Sequence, residues 1–193
     1  RSVVKAGTNG LSLINTIQSV TGIDLYTFVP TPYVAGKSVF GGYCGPAVKP
    51  IALKMLTTIA QDEVTNKVPI SGIGGVSTWK DAVEFMLLGA SNVQVCTAAM
   101  NHGFRIVEDM IEGLNNWMDE KGFNTLNDFI GKSVEKITHW EDLDINYHHI
   151  AKINQDKCIH CGLCYIACED TSHQSINLEY GKPYNTYTVK EEE

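Results

Sequence analysis

The chain has 193 residues, of which 44% are hydrophobic and 19% are charged, a balance that is typical of globular proteins. The formal net charge is -7, and the 15 lysines and arginines are scattered, which argues against a nucleic-acid-binding face and against a basic membrane-binding face. No apolar run approaches the roughly 18 residues of a membrane span, and no targeting segment follows Arg1. We therefore expect a cytoplasmic protein that binds neither nucleic acid nor membrane.

Up to about residue 120, short apolar runs alternate with amphipathic helical runs. Strands are predicted at residues 11–14, 68–73 and 93–96, and helices over residues 48–59, 78–87 and 104–118. Pro46 and Pro50 lie in or near the first turn of the first helix, where a missing N–H costs little. Thr78 and Asp81 form a capping-box pattern at the start of the second helix. The stretch between the first strand and the first helix carries no hairpin signal and is predicted to be a loop.

Three strand–helix units without hairpins imply parallel strands joined by right-handed crossovers. An open doubly wound sheet and a (β/α)8 TIM barrel both fit, and both place chemistry at the carboxyl ends of the strands. A barrel is favoured because the second and third strands lead into turns that can hold one phosphate, as strands seven and eight of a barrel do. We expect residues 1–120 to be the C-terminal part of an α/β barrel, residues 121–150 a packed helical connector, and residues 151–193 a truncated α+β ferredoxin-like domain.

Four of the six cysteines lie close together near the end of the chain. Cys158, Cys161, Cys164 and Cys168 form the run C-x2-C-x2-C-x3-C of bacterial ferredoxins, although Glu169 stands where the usual run has proline. This spacing lets three thiolates converge on one 4Fe-4S cluster, and the fourth cysteine characteristically binds a second cluster. Zinc is the alternative, but zinc sites more often use two separated cysteine pairs or add histidine at a fixed spacing. The run therefore predicts iron–sulfur binding.

Glycine-rich or small-residue turns follow the predicted strands. Gly74, Gly75 and Val76 lie between the second strand and a helix, so that their backbone N–H groups can surround a phosphate. Cys96 and Thr97 end the third strand in the same way. A tight turn without a ligand is the alternative for each turn alone, and two such turns on adjacent strands favour phosphate binding.

Two further segments offer polar groups at the same end of the predicted sheet. Gly45 precedes the first helix and brings a third backbone segment to the same ligand, unless it serves only as a helix-entry loop. Asn15 and Thr16 end the first strand and suit a planar ligand edge with donors and acceptors, although such residues also simply end strands. The side chains of Cys44 and Cys96 are expected to be small buried apolar groups, and a role as nucleophile or acid is the alternative.

Taken in chain order, from Asn15 and Thr16 to the ferredoxin run, these segments resemble dihydropyrimidine dehydrogenases, in particular the catalytic subunit of the bacterial NAD-dependent enzyme. The resemblance covers essentially the whole chain and includes residues 164–174, so the glutamate after the fourth cysteine looks like a family trait. The barrel segment alone is similar to the wider dihydroorotate dehydrogenase family, and the fused ferredoxin segment separates the two groups.

The resemblance implies an oxidoreductase of pyrimidine catabolism that reduces the 5,6-double bond of uracil or thymine. Electrons would pass from NADH through a partner subunit that binds NAD(H) and FAD, then through 4Fe-4S clusters to FMN, in a hetero-oligomer. The metal ligands would be the four cysteines of the ferredoxin run, and the pyrimidine would be bound by Asn15 and Thr16. The FMN phosphate would be held by the backbone of Gly45, Gly74, Gly75, Val76, Cys96 and Thr97. The catalytic cysteine of the family lies on an earlier barrel loop, which neither Cys44 nor Cys96 matches.

Three strand–helix units cannot close an eight-stranded barrel, and the second cysteine run of the family is absent. We therefore expect an internal fragment of a longer subunit that is inactive by itself. A dihydroorotate dehydrogenase with a fused electron-transfer tail is an alternative, but orotate carries a carboxylate, and no additional anchor for it appears near Asn15 and Thr16. An electron-carrier module with a vestigial barrel is the other alternative, and the FMN-type turns argue against it.

Overall fold

The computed structural model describes residues 1–146 and 151–190. The chain divides into two compact units, Arg1–Thr138 and His139–Glu193. Within the described residues, no helix has both the length and the apolar character that are needed to cross a bilayer. The predicted boundary between residues 150 and 151 falls at residues 147–150, which lie outside the described residues.

The first unit alternates short strands with helices. A 3₁₀ turn at Pro46–Val48 precedes the helix Lys49–Gln61, and two more, at Leu126–Asp128 and Val134–Lys136, follow the helix Ile106–Lys121. Its elements are α1 (Ser2–Lys5), β1 (Leu11–Leu13), β2 (Ile17–Ser19), β3 (Gly22–Ile23), β4 (Pro30–Thr31), β5 (Gly41–Tyr43), α2 (Lys49–Gln61), β6 (Ile70–Ile73), α3 (Trp79–Leu87), β7 (Asn92–Gln94), α4 (Thr97–His102) and α5 (Ile106–Lys121).

The centre of this unit is a parallel sheet in the order β1-β6-β7. Gly72 of β6 lies opposite Leu13 of β1 on one side and Val93 of β7 on the other. Helix α2 belongs to the crossover from β1 to β6, and α3 belongs to the crossover from β6 to β7. The three predicted parallel strands are confirmed, but each is shorter than predicted. Strand β6 starts after Pro69, which has no N–H group to donate to a ladder.

Both crossover helices pack on the same face of this sheet. Phe85 of α3 and Leu56 of α2 are fully buried there, and burial of each contributes about 1.5–3 kcal/mol. A Cβ atom on Gly72 would lie 2.5 Å from Phe85 Cδ1 and 3.1 Å from Leu56 Cδ1, so glycine is needed for this close approach. With both crossover helices on one face, the three strands fit consecutive units of a βα barrel and also one half of a doubly wound sheet.

The opposite face of the sheet is polar. Gln94 Nε2 donates to Ser12 Oγ and to Ser71 Oγ, each at 2.8 Å, so that one amide joins all three parallel strands. Ser71 also hydrogen-bonds the side chain of Asn92. Side chains of a strand alternate between its two faces, so that Leu13, Ile70 and Val93 pack in the core beneath the helices, whereas Ile73 shares the face of Ser71.

The predicted starts of the first two helices are confirmed. Asp81 N–H donates to Thr78 Oγ1 at 3.4 Å, and Thr78 N–H donates to Asp81 Oδ2 at 2.8 Å, which completes the capping box of α3. Pro50 stands in the first turn of α2. Helix α5 ends at Gly122, whose φ of 70° lies in the left-handed region that favours glycine.

The segment between β1 and α2 corrects one prediction. It contains two antiparallel pairs, β2 with β5 and β3 with β4, so the prediction of a loop without hairpins is wrong. These strands are only two or three residues long. Glycine and proline occupy several of their positions, and such short stretches carry no period-2 signal.

The helix predicted over residues 104–118 is also corrected. Helix α4 comes first and ends at His102, before Gly103 with φ of 82°, and α5 starts only at Ile106. Phe104 was predicted on the apolar face of one long helix, but it lies in the break and is 87% exposed. Helix α4 was not predicted, and the apolar spacing placed the start of α5 two residues too early, at Phe104.

Residues after α5 pack onto the first unit. Phe129 is fully buried and lies against Trp117 and Phe123, with ring centroids 5.0 and 5.5 Å apart. Gly131 N–H donates to Met86 O, and Ser133 N–H donates to Leu87 O, each at 2.9 Å. These bonds satisfy carbonyl groups at the end of α3.

The second unit contains a 3₁₀ turn at Trp140–Asp142, helix α6 (Leu163–Glu169), and an antiparallel pair of strands, β8 (Ile176–Glu179) and β9 (Thr186–Val189). Tyr187 of β9 is its buried aromatic residue, with 6% exposure. Gly162 precedes α6 with φ of 76°, and a Cβ atom there would lie 2.8 Å from Tyr187 Oη. Glycine thus allows both the left-handed turn and the contact.

Candidate functional site

A cavity of about 310 Å³ lies at the carboxyl ends of the three parallel strands. Its size falls within the range of small-molecule sites. All eight residues that the resemblance implied for substrate and FMN line it: Asn15, Thr16, Gly45, Gly74, Gly75, Val76, Cys96 and Thr97. Because the carboxyl ends of parallel strands meet at one edge of a sheet, segments that are far apart in sequence reach the same cavity.

Two of the glycine-rich turns touch each other at this cavity. A Cβ atom on Gly75 would lie 2.7 Å from Gly45 O and 3.0 Å from Lys49 N, and φ of Gly75 is 78°. Gly45 has φ of 87° and stands directly before the 3₁₀ turn that leads into α2. Glycine is therefore required at position 75 both by the backbone conformation and by the close approach of the turn before α2.

Backbone N–H groups at this end of the sheet have no hydrogen-bond acceptor among the described residues. Among the hydrogen bonds resolved for the described residues, none uses the N–H group of Gly75 or Val76. The first turn of α4, which starts at Thr97, also has N–H groups without an intrahelical acceptor. Unpaired N–H groups from two neighbouring turns form the kind of cradle that binds phosphate.

The N-terminus of α3, in contrast, is occupied by its own cap. Asp81 Oδ2 accepts from Ser77 N–H at 3.0 Å, from Thr78 N–H at 2.8 Å and from Thr78 Oγ1 at 3.0 Å. Burial raises the pKa of Asp81, but the hydrogen bonds from Lys49, Ser77 and Thr78 outweigh it and hold the pKa below its usual value. These two N–H groups are therefore not free for a ligand.

Lys49 forms ion pairs beside the cavity rather than in it. Its Nζ lies 2.6 Å from Asp81 Oδ1 and 2.9 Å from Glu84 Oε2. These hydrogen bonds, first to Asp81 and then to Glu84, raise the pKa of Lys49. Lys49 is not among the cavity-lining residues, and the residues that line the cavity in the described part of the chain carry no charged side chain.

The side chain of Asn15 already makes hydrogen bonds with its neighbour Thr16. Its Oδ1 accepts from Thr16 N–H at 2.7 Å and from Thr16 Oγ1 at 3.4 Å. The amide nitrogen of Asn15 is therefore the group that remains for a ligand acceptor. Thr16 also sits against Gly42, where any side chain would overlap the threonine hydroxyl.

The cavity walls include residues that the sequence analysis did not select: Ile14, Tyr43, Val48, Ile73, Ser77, Gln94 and Met100. Cys44 and Cys96 were predicted to have buried filler side chains, and this is wrong, since both are exposed and line the cavity. Their thiols are small and stand next to glycine or threonine, so that the open cavity leaves them uncovered. A polar residue on a short strand, such as Gln94, gives no sequence signal for a ligand site.

The four cysteines of the ferredoxin run lie in the second unit as free thiols. Cys158 and Cys161 lie in the turns before α6, and Cys164 and Cys168 stand one helical turn apart on it. His160 Nδ1 donates to Asn185 O at 2.9 Å, and the ring stacks on Tyr184. Within the described residues, no group of three or more His, Cys, Asp or Glu side chains is gathered so that it could hold a metal ion.

Cys168 has a polar environment of its own. Ser175 N–H donates to Cys168 Sγ at 3.1 Å, and Ser175 Oγ lies 3.5 Å from the same sulfur. The hydrogen bond with the Ser175 side chain lowers the pKa of the Cys168 thiol, and this favours the thiolate that binds metals.

The fold and the cavity define a class of protein. Residues 1–118 match the family described as "Dihydroorotate dehydrogenase", and residues 151–193 match the family described as "4Fe-4S dicluster domain". The chain belongs to the dihydroorotate dehydrogenase family and carries an iron–sulfur segment after it.

Named relatives narrow the class. The NAD-dependent dihydropyrimidine dehydrogenase subunit PreA of Escherichia coli is 46% identical over 172 residues, which are 89% of this chain and 42% of that protein. The chloroplastic NADP⁺ dihydropyrimidine dehydrogenase of Arabidopsis thaliana is 44% identical over 146 residues, 74% of this chain and 34% of that protein. The dihydroorotate dehydrogenase B (NAD⁺) catalytic subunit of Pyrococcus furiosus is 42% identical over 127 residues, 66% of this chain and 40% of that protein. The predicted resemblance is confirmed, and the chain spans less than half the length of these relatives.

Proposed function

We propose that the chain is part of a dihydropyrimidine dehydrogenase that reduces the 5,6-double bond of uracil or thymine with electrons from NADH. The observation that carries the proposal is the cavity, in which all eight residues expected to bind FMN and pyrimidine converge. The similarity to PreA supports it further. That match spans 172 residues, more than the 150 that precede the cysteine segment, so it extends into the segment itself.

FMN fits the cavity by the chemistry of the residues present. Gly75 and Val76 offer unused N–H groups, the first turn of α4 offers more, and apolar walls such as Ile73 and Met100 surround them. When bound, FMN supplies the hydride that reduces the pyrimidine ring. In this proposal the backbone of Gly45, Gly74, Gly75, Val76, Cys96 and Thr97 holds the phosphate.

The pyrimidine is bound by Asn15 and Thr16. Uracil and thymine present alternating amide donors and acceptors, and an amide side chain complements such an edge. Because Asn15 Oδ1 already accepts from Thr16, the amide nitrogen of Asn15 donates to a ring carbonyl. This hydrogen bond orients the substrate in the cavity.

The cysteine run suits iron–sulfur clusters because its donors are all thiols at ferredoxin spacing. Cys158, Cys161, Cys164 and Cys168 are the proposed ligands. The hydrogen bond from Ser175 N–H to Cys168 is of the type that sets cluster potentials. Clusters held by these cysteines would carry electrons toward FMN from a partner subunit that binds NAD(H) and FAD, in a cytoplasmic hetero-oligomer.

The finer fold belongs to the same proposal. Residues 1–120 form the last units of an eight-stranded barrel, residues 121–150 form a connector, and residues 151–193 form a ferredoxin-like domain. The support is the order β1-β6-β7 with both crossover helices on one face. The polar face that carries Gln94 then lines the interior of the barrel.

A dihydroorotate dehydrogenase is the second candidate, because the Pyrococcus furiosus subunit is 42% identical. Orotate carries a carboxylate, and buried carboxylates require a cation or several donors. The residues that line the cavity in the described part of the chain carry no charge, which favours the uncharged pyrimidines.

The experiment is a steady-state assay of the full-length protein in which these residues occur, together with its partner subunit. NADH oxidation is measured with uracil, thymine and orotate as acceptors. We expect turnover with uracil or thymine and none with orotate. Turnover with orotate alone would establish the second candidate, and cluster reduction without turnover of any pyrimidine would indicate an electron carrier.

A further inference from the structure

One ion pair next to the cavity connects the two helices that follow its glycine turns. Lys49 is the first residue of α2, and the turn that contains Gly45 lies directly before it. Asp81 belongs to the first turn of α3, and the turn that contains Gly75 lies directly before that helix. Lys49 Nζ and Asp81 Oδ1 are 2.6 Å apart. The pair therefore connects the two helices at the point where their preceding turns meet.

Asp81 uses its two oxygens for different neighbours. Oδ1 accepts from Lys49, while Oδ2 accepts from the N–H groups of Ser77 and Thr78. One carboxylate thus fixes the turn before α3 and attaches it to the start of α2. The Asp81 side chain is 13% exposed and the Lys49 side chain 25%, so the pair is screened less by solvent than a surface pair would be.

The backbones that the pair connects are already in contact. The position of a Cβ atom on Gly75 lies 2.7 Å from Gly45 O and 3.0 Å from Lys49 N. Gly45 and Gly75 both line the cavity, whereas Lys49 and Asp81 do not. A change in the distance between Lys49 and Asp81 therefore changes the separation of the two cavity-lining turns.

We propose that Lys49 and Asp81 are positioning residues that hold the Gly45 and Gly75 turns at the separation needed to bind the phosphate group of the flavin. This inference rests on the proposed function and specifies how its phosphate site is built. The charge of Lys49 is neutralised by Asp81 and Glu84, so it does not serve as the counter-charge of the phosphate. The phosphate is bound by neutral N–H groups, and the ion pair sets their positions.

The test compares FMN with riboflavin, which lacks the phosphate. Deflavinated full-length protein is titrated with each flavin, and flavin fluorescence is measured. Lys49→Met should weaken FMN binding by roughly tenfold, the effect of a coupling energy in the usual range for contacting charged groups, and should change riboflavin binding less than twofold. Lys49→Arg should restore most of the affinity. Lys54→Met, at an exposed lysine of the same helix, is the matched control and should leave both affinities unchanged.

Asp81→Asn separates a positioning pair from a direct phosphate contact. If Lys49 positions the turns, Asp81→Asn weakens FMN binding, and the double variant Lys49→Met/Asp81→Asn is no weaker than the worse single variant. If Lys49 contacts the phosphate, Asp81→Asn frees the lysine and FMN binds as well as before or more tightly, which would overturn the proposal. An equal loss of FMN and riboflavin in Lys49→Met would also overturn it.

The outcome for the wild type distinguishes this proposal from the proposed function. Wild-type protein that binds neither flavin would refute the flavin site and, with it, the phosphate role of the pair. If the wild type and the variants all bind FMN with the same discrimination against riboflavin, the positioning role of the pair is refuted and the flavin site is not. Thermal unfolding of each variant shows whether a lost affinity reflects a lost fold.

Discussion

Replacement of Gly75 by alanine tests the phosphate site through the backbone itself. With φ of 78°, the left-handed conformation costs an alanine roughly 1–2 kcal/mol. Its Cβ atom would lie 2.7 Å from Gly45 O and 3.0 Å from Lys49 N, so these backbone groups must move, and overpacking of this kind costs about 1–3 kcal/mol. The combined penalty is roughly 2–5 kcal/mol. Because Gly45 and Gly75 line the same cavity, the displacement falls on the groups that are proposed to bind phosphate.

We expect Gly75→Ala to lower the affinity for FMN by roughly 10- to 100-fold, since small displacements of binding groups have effects of this size. FMN content after purification and flavin titration of the full-length protein measure it. Two controls separate strain from binding. Gly122 has φ of 70° and open space around it, while Gly89 has φ of 106° and a contact 2.9 Å from Ala60 Cβ, outside the cavity. Alanine at either control position should lower the unfolding temperature but not the FMN affinity. Stoichiometric FMN with wild-type affinity in Gly75→Ala would remove this turn from the phosphate site.

Three further predictions concern the substrate, the clusters and pH. Asn15→Ala should leave FMN bound but lower kcat/KM for uracil. The loss should correspond to about 1–3 kcal/mol of transition-state stabilisation, the cost of one lost hydrogen bond. Unchanged kinetics would show that Asn15 only ends β1. Cys161→Ser should lower the iron content and the visible cluster absorbance, whereas Cys44→Ser should not, and equal iron in both variants would contradict the ligand assignment. The pKa of Asp81 is lowered and that of Lys49 is raised. Their pair therefore stabilises the fold between about pH 4 and about pH 10. This stabilisation is lost as pH falls through the folded-state pKa of Asp81 or rises through that of Lys49. The stability difference between wild type and Asp81→Asn should therefore shrink in acid, and a difference that stays constant to pH 2 would refute this.

The strand ends of the candidate site could be predicted because a parallel sheet gathers them at one edge. Asn15, Gly74 and Cys96 each follow an apolar run, and that order along the chain suffices to bring them together. Tyr43 could not be predicted in this way. It reaches the cavity through the antiparallel pairing of β2 with β5, and strands this short leave no periodic signal.

The wrong prediction for Cys44 and Cys96 has a related cause. A small thiol among apolar and glycine residues has the local appearance of core packing. Burial, however, depends on which surfaces meet in the folded chain, and both thiols stand at the wall of a cavity. Local composition cannot distinguish the inside of a core from the inside of a pocket.

The glycines after β6 also have a packing role, which their sequence pattern did not reveal. From the sequence, Gly74 and Gly75 are predicted to bind phosphate through exposed N–H groups at the start of α3. The structure adds a packing reason, since a Cβ atom on Gly75 would overlap the turn at Gly45. It also removes part of the expected anion site, because Asp81 already accepts from the N–H groups of Ser77 and Thr78. The donors that remain lie before the cap of α3 and in the first turn of α4, so these two turns, rather than the N-terminus of α3, would hold a phosphate.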